Sequence, residues 1–92
     1  MDAKALKFAI AAQRTEITEY HIYKKLAKGS KSPQNAKVLS QIAEQEKQHA
    51  SFWEQKTGKT AKVNWWRFYR TIFLARFLGL AFALKLMEKN EG

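Results

Sequence analysis

The sequence predicts an all-α helical bundle, and three observations carry that prediction. Apolar residues recur at three- and four-residue spacing through three long segments, the pattern of helices that bury one face. Polar stretches containing glycine, at residues 29–32 and 58–63, separate those segments. Nothing alternates apolar and polar residues in the manner of a strand, and no repeat or low-complexity tract occurs. The length of 92 residues allows one small domain. Hydrophobic residues make up 46%, enough for a modest core that a partner chain is expected to complete.

The first helix is expected over residues 3–27. Asp2 supplies its N-cap. Lys24, Lys25 and Lys28 crowd its C-terminal end, where the helix dipole favours cations. Gly29 is expected to stop it. Ser32-Pro33 opens the second helix, with Ser as cap and Pro in the first turn. That helix runs to residue 55 or 56 and ends at Gly58. Asn64 opens the third segment, Trp65-Trp66-Arg67-Phe68-Tyr69-Arg70, and its helical pattern continues through Leu78. Gly79 bends or breaks it, and residues 80–91 are helical again. Glu88 and Glu91 fall in the last turn, where negative charge opposes the dipole. The chain is therefore expected to be cut from a longer bundle, Gly92 as a C-cap being the alternative.

Composition removes several classes of function. There is no Cys, which excludes disulfides, thiolate chemistry and Cys-type zinc sites. This suits a reducing compartment, and the expected location is the cytoplasm, at the face of a membrane. Residues 1–12 lack the apolar core of a signal peptide. The apolar run within residues 71–87 is broken by Arg76, Gly79 and Lys85, so no membrane span is expected. The net charge is +9, from 17 Lys and Arg against 8 acidic residues. Such an excess serves solubility, or attraction to anionic membranes or nucleic acid.

The second helix carries an anomaly. Its stripe reads Leu39, Ile42, Glu46, His49, Trp53, so an acid and an imidazole three residues apart interrupt the apolar face. A buried carboxylate must be neutralised, paired or bound to a metal. Glu-x-x-His projecting into a helical bundle is the ligand arrangement of di-iron carboxylate proteins. The first helix repeats the anomaly, with Glu16 in the stripe Leu6, Ala9, Gln13, Glu16, Tyr20, Tyr23, Ala27. The third segment ends its stripe Phe77, Leu80 or Ala81, Leu84 with Glu88 and Glu91. Helices packed side by side would gather these groups at one depth. Iron or manganese accepts carboxylate oxygen and imidazole nitrogen, and Tyr23 or Gln13 would hydrogen-bond a ligand carboxylate. Each member has a simpler reading. Glu46 and His49 form a surface i, i+3 pair, Glu16 reaches solvent from the edge of its stripe, and Glu88 and Glu91 are solvated near a frayed end. Glu19 and Glu44 are read as solvated, and His21 as a surface histidine.

The stretch Ile42-Ala43-Glu44-Gln45-Glu46-Lys47-Gln48-His49-Ala50 resembles the second-helix motif of rubrerythrins and related ferritin-like proteins. Glu16, followed seven residues later by Tyr23, resembles their first-helix motif. Leu84-Lys85-Leu86-Met87-Glu88-Lys89-Asn90-Glu91 resembles the third, with its two glutamates three apart. The arrangement of residues 65–91 is most similar to the ferritin-like domain joined to vacuolar iron transporter-type membrane proteins. The resemblance implies a ferritin-like bundle with Glu16, Glu46 and His49 as iron ligands, and Glu88 or Glu91 as the third helix's contribution. It implies a di-iron cofactor, with manganese or zinc as substitutes. It also requires a fourth helix with another Glu-x-x-His-type motif, which this sequence does not contain. One chain thus offers an incomplete site, to be completed by a further segment or a second chain, and a homo-oligomer is expected.

Three functions compete. The first is an iron-binding module that binds Fe(II), oxidises it only if the site is completed, and serves an adjoining iron transporter. The second is a non-enzymatic basic module, whose Trp65, Trp66, Phe68 and Tyr69, interleaved with Arg67 and Arg70, bind membrane headgroups or nucleic acid. Against it stands a core helix with aromatics packed inward and arginines wet. The spread of basic residues over all helices disfavours nucleic acid. The third is a structural helical oligomer with no metal.

Overall fold

Four helices make up nearly all of the chain: α1 (Ala3–Gly29), α2 (Pro33–Thr57), α3 (Trp65–Leu78) and α4 (Leu80–Glu91). The computed structural model describes the backbone of residues 1–91 and the side chains of residues 1–85, 87 and 88. No strand occurs among the described residues. The all-α prediction holds, with the third segment split in two at Gly79.

Local chemistry places the helix ends where it was read. Asp2 caps α1, accepting from the Ala5 N–H at 2.7 Å. Ser32 caps α2 by accepting from the Asn35 N–H at 3.3 Å, with Pro33 in the first turn. Asn64 caps α3 through the Arg67 N–H at 3.1 Å. Gly58 ends α2 in the left-handed region at φ 67, which a residue without Cβ adopts freely. Gly79, at φ 96, donates its N–H to the Ala75 carbonyl at 3.1 Å and then breaks the helical path. Gly29 does not act as the expected stop. The helix runs through it and closes at Ser30, whose N–H bonds the Ala27 carbonyl at 3.3 Å.

α1 and α2 form an antiparallel hairpin across a three-residue turn. Phe8 meets Trp53 edge-on, with ring centroids 6.5 Å apart, at the end remote from the turn. Lys47 Nζ stands 5.7 Å from the centre of the Tyr20 ring nearer to it. Ala9, Ala27, Leu39, Ala43 and Ala50 are buried, and the four alanines are small enough to let helix backbones approach. Gln13, buried, pins the far end. Its Nε2 donates to the Lys59 carbonyl at 2.6 Å, and its Oε1 accepts from the Thr57 hydroxyl at 3.0 Å.

α3 returns along a second side of α1. The Asn64 N–H donates to Thr18 Oγ1 at 2.9 Å, and Arg67 Nη2 donates to Glu19 Oε1 at 2.9 Å. Further on, Ile72 and Ala75 face Leu26 and Gly29 across a cleft, so α3 runs in the direction of α1. Among the described residues α4 packs on α3 alone. The assembly is elongated, 44 × 21 × 20 Å.

Two sequence readings of the third segment are corrected. A core-helix reading of the segment puts the aromatics inward and leaves the arginines wet. Instead Arg67 points in and Trp65, Trp66, Tyr69, Phe73 and Phe77 are exposed. The ion pair with Glu19 takes the inward position, so the helix is rotated relative to that reading. Among the described residues of α4, Ala83 and Met87 are buried. Phe77, Leu84 and Glu88 do not share one inward stripe, and Glu88 is exposed. The break at Gly79 resets the helical phase, so a periodicity carried across it fails.

Candidate metal centre

Glu16 and Glu46 stand on the two helices of the hairpin. The Phe8–Trp53 and Tyr20–Lys47 contacts, one on either side of them, show that the two helices run antiparallel. Glu16 is half-buried, with Oε2 withdrawn from solvent. Glu46 follows the buried residues Leu39 and Ala43 round α2, and only 13% of its side chain is exposed.

His49 stands one turn beyond Glu46, and its Nδ1 lies 3.2 Å from Glu46 Oε1. With the proton on Nδ1 the imidazole donates to that carboxylate and leaves the Nε2 lone pair available, the arrangement by which metal-ligating histidines are oriented. The His49 side chain is 58% exposed. It sits at the rim of the hairpin, so within one chain the pair opens outward and does not converge in a dry interior.

Carboxylate oxygen and imidazole nitrogen are donors that iron accepts, so Glu46, His49 and Glu16 suit the metal in kind. They do not suffice in number. Among the described residues no three His, Asp or Glu side chains gather closely enough to hold an ion. Glu88 is exposed on α4, which among the described residues makes no contact with α1 or α2. The side chain of Glu91 lies outside the described residues, as does Gly92. The hydrogen-bonding role read for Gln13 is also corrected: its amide is committed to Thr57 and Lys59.

The sequence reading missed one acid entirely. Glu19, taken as solvated, is fully buried and paired with Arg67, whose side chain is 13% exposed. α1 is covered on two sides, by α2 and by α3, so Thr18, Glu19 and Ile22 form a second buried face. The signal available was charge. Residues 58–87 hold Arg67 among six basic residues and no acid, so an acid elsewhere had to answer any arginine drawn inward. Glu44 is exposed, as read. His21 is half-buried against Tyr20 and Trp65, with ring centroids 4.9 and 5.4 Å away. Burial, reinforced by the Lys24 charge, lowers its pKa below the ordinary histidine value.

A family model described as rubrerythrin matches residues 4–65, well over half of the chain. The matched span covers α1, α2 and the first residue of α3, and so includes Glu16, Glu46 and His49 and leaves out Glu88 and Glu91. No curated protein and no solved structure matches the chain. Membership of that family implies iron binding, and on the match and the all-α bundle together the chain belongs to the rubrerythrin family, with a ferritin-like fold.

Proposed function

We propose that this chain is a ferritin-like module that binds Fe(II) through Glu16, Glu46 and His49, with a second donor set supplied from outside the described residues. The observation that carries the reading is the Glu46–His49 pair at 3.2 Å, open at the rim of a hairpin whose other helix carries the half-buried Glu16. A di-iron bundle uses one Glu from each of two helices and a Glu-x-x-His from each of two others. One hairpin carries half of that inventory, and a second copy of the chain carries the other half. Glu88 and Glu91 are the acids that α4 would add. Bound Fe(II) supplies one-electron reducing chemistry towards oxygen or peroxide. Glu46 holds the imidazole, His49 presents Nε2, and Glu16 offers its charge against the cation. The resemblance of residues 65–91 extends the reading to a module that serves an adjoining iron transporter.

Thermal unfolding with and without Fe(II) under anaerobic conditions tests this. At a metal concentration 100 times the dissociation constant, preferential binding to the folded state adds about 2.7 kcal/mol. For a domain of this size that raises Tm by roughly 10–20 °C. The gain should vanish in Glu46→Ala and be accompanied by metal-dependent dimerisation. An equal gain in Glu46→Ala and in the parent would refute the site.

A further inference from the structure

The exposed face of α3 is unlike the rest of this surface. Trp66, Tyr69, Phe73 and Phe77 follow one another at three- and four-residue steps along one line, and all four are exposed, Trp66 to 76%. Side chains at such steps share a helix face. The Phe73 and Phe77 rings lie 4.4 Å apart, centroid to centroid, so the line is continuous. Arg70 and Arg76, both exposed, flank it. α1, by contrast, holds the opposite side of the helix through Arg67.

The charge around this line has one sign. Residues 58–87 contain Lys59, Lys62, Arg67, Arg70, Arg76 and Lys85 and no Asp or Glu. Glu19 answers Arg67. At the far end of the line Arg76 also borders the cleft between α1 and α3, where Lys25 and Lys31 stand with it among Leu26, Ile72 and Leu80. No acid lines that cleft. Aromatic rings on one face of a helix, flanked by arginines and backed by lysines, are the composition of helices that lie in a membrane interface. No helix among the described residues is long and apolar enough to cross a bilayer, so contact would be with the surface.

We propose that α3 docks this protein on an anionic phospholipid surface. Trp66, Tyr69, Phe73 and Phe77 enter the headgroup boundary, while Arg70, Arg76, Lys25 and Lys31 meet lipid phosphates. A second copy is the poorer occupant, because two such faces would bring like charges together with no acid to relieve them. Single-stranded nucleic acid is poorer too. Its stacking sites combine aromatics with a groove that tracks the backbone, and this line stands on the convex side of a helix. The proposal does not depend on metal binding.

Vesicles of equal phosphatidylglycerol and phosphatidylcholine, against vesicles of phosphatidylcholine alone, test it with the 92-residue chain. Co-sedimentation and a blue shift of tryptophan emission report binding. Binding to the anionic vesicles should be at least tenfold tighter and should weaken as salt is raised. Each basic residue near such a surface is worth about a fivefold change in partitioning, so R70Q/R76Q should weaken binding roughly 30-fold. W66S/F73S should weaken it at least tenfold and abolish the emission shift, with circular dichroism unchanged because both side chains are exposed. K7Q/K37Q removes the same charge from exposed positions on α1 and α2 and should change binding by no more than fivefold. Equal losses in the two charge variants would overturn the proposal, as would equal binding to both vesicle types. Oligonucleotide that displaces the vesicles would assign the face to nucleic acid instead. A dimer that W66S/F73S dissociates would assign it to a second copy.

Discussion

Replacing Arg67 by Met removes the cation paired with the buried Glu19 carboxylate. Glu19 is fully buried and its Oε1 lies 2.9 Å from Arg67 Nη2. Removing one partner of a buried pair costs about 3–5 kcal/mol, because the remaining charge stays uncompensated. The two partners are not equivalent here. Arg67 keeps 13% of its side chain in solvent, so in Glu19→Leu the guanidinium can turn outward, and that variant should lose only about 1 kcal/mol. Arg67→Met has no such outlet and should lose about 3 kcal/mol or more. A change of 1 kcal/mol moves Tm by roughly 4–8 °C in a domain of this size, so Arg67→Met should unfold at least about 12 °C lower. The double variant replaces the pair by apolar side chains of similar volume and should recover most of the loss. Urea unfolding followed by far-ultraviolet circular dichroism, run on all four proteins, closes the cycle. Trp65 emission reports whether α3 leaves α1 first, since that ring packs 5.4 Å from His21. A loss below 1 kcal/mol in Arg67→Met, or a double variant as unstable as Arg67→Met, would refute the reasoning.

Two further outcomes follow from the backbone and from titration. Gly79→Ala forces a Cβ into φ 96 while meeting no atom within 4 Å. The cost is thus conformational, about 1–2 kcal/mol in urea unfolding, and a neutral substitution would argue against the break between α3 and α4. His21 has a folded pKa below its unfolded value of 6.5. The unfolded chain therefore takes up the proton first as pH falls, and stability drops from about pH 6.5 downward, with no contribution above it. His21→Gln should flatten the dependence of Tm on pH between 7.5 and 5.5, and an unchanged slope would show that another group carries it.

Much of this protein was legible residue by residue. The caps at Asp2, Ser32 and Asn64 and the breaks at Gly58 and Gly79 were readable because each depends on a side chain and its immediate backbone. The Glu46–His49 pair was readable for the same reason, since residues three apart on a helix are neighbours whatever surrounds them. Gly29 misled because a glycine at a helix end permits a left-handed stop without requiring one. The solvated reading of Glu19 failed because it rested on a single buried stripe for α1. The direction of the α3 aromatics failed because a helix rich in apolar residues on all sides does not announce which side is inward.

The sequence by itself determined the three helical segments, the caps at Asp2, Ser32 and Asn64, and which acid and imidazole lie one turn apart, because hydrogen bonds and sterics over four or five residues settle such features. Only the tertiary structure decided which faces are dry. α1 buries Thr18, Glu19 and Ile22 because α3 covers them. Arg67 turns inward because a carboxylate 48 residues earlier waits there, and that turn sends Trp66 and Phe73 outward. Burial is a property of the space between elements, set by contacts between residues far apart in the chain, and no local pattern encodes it.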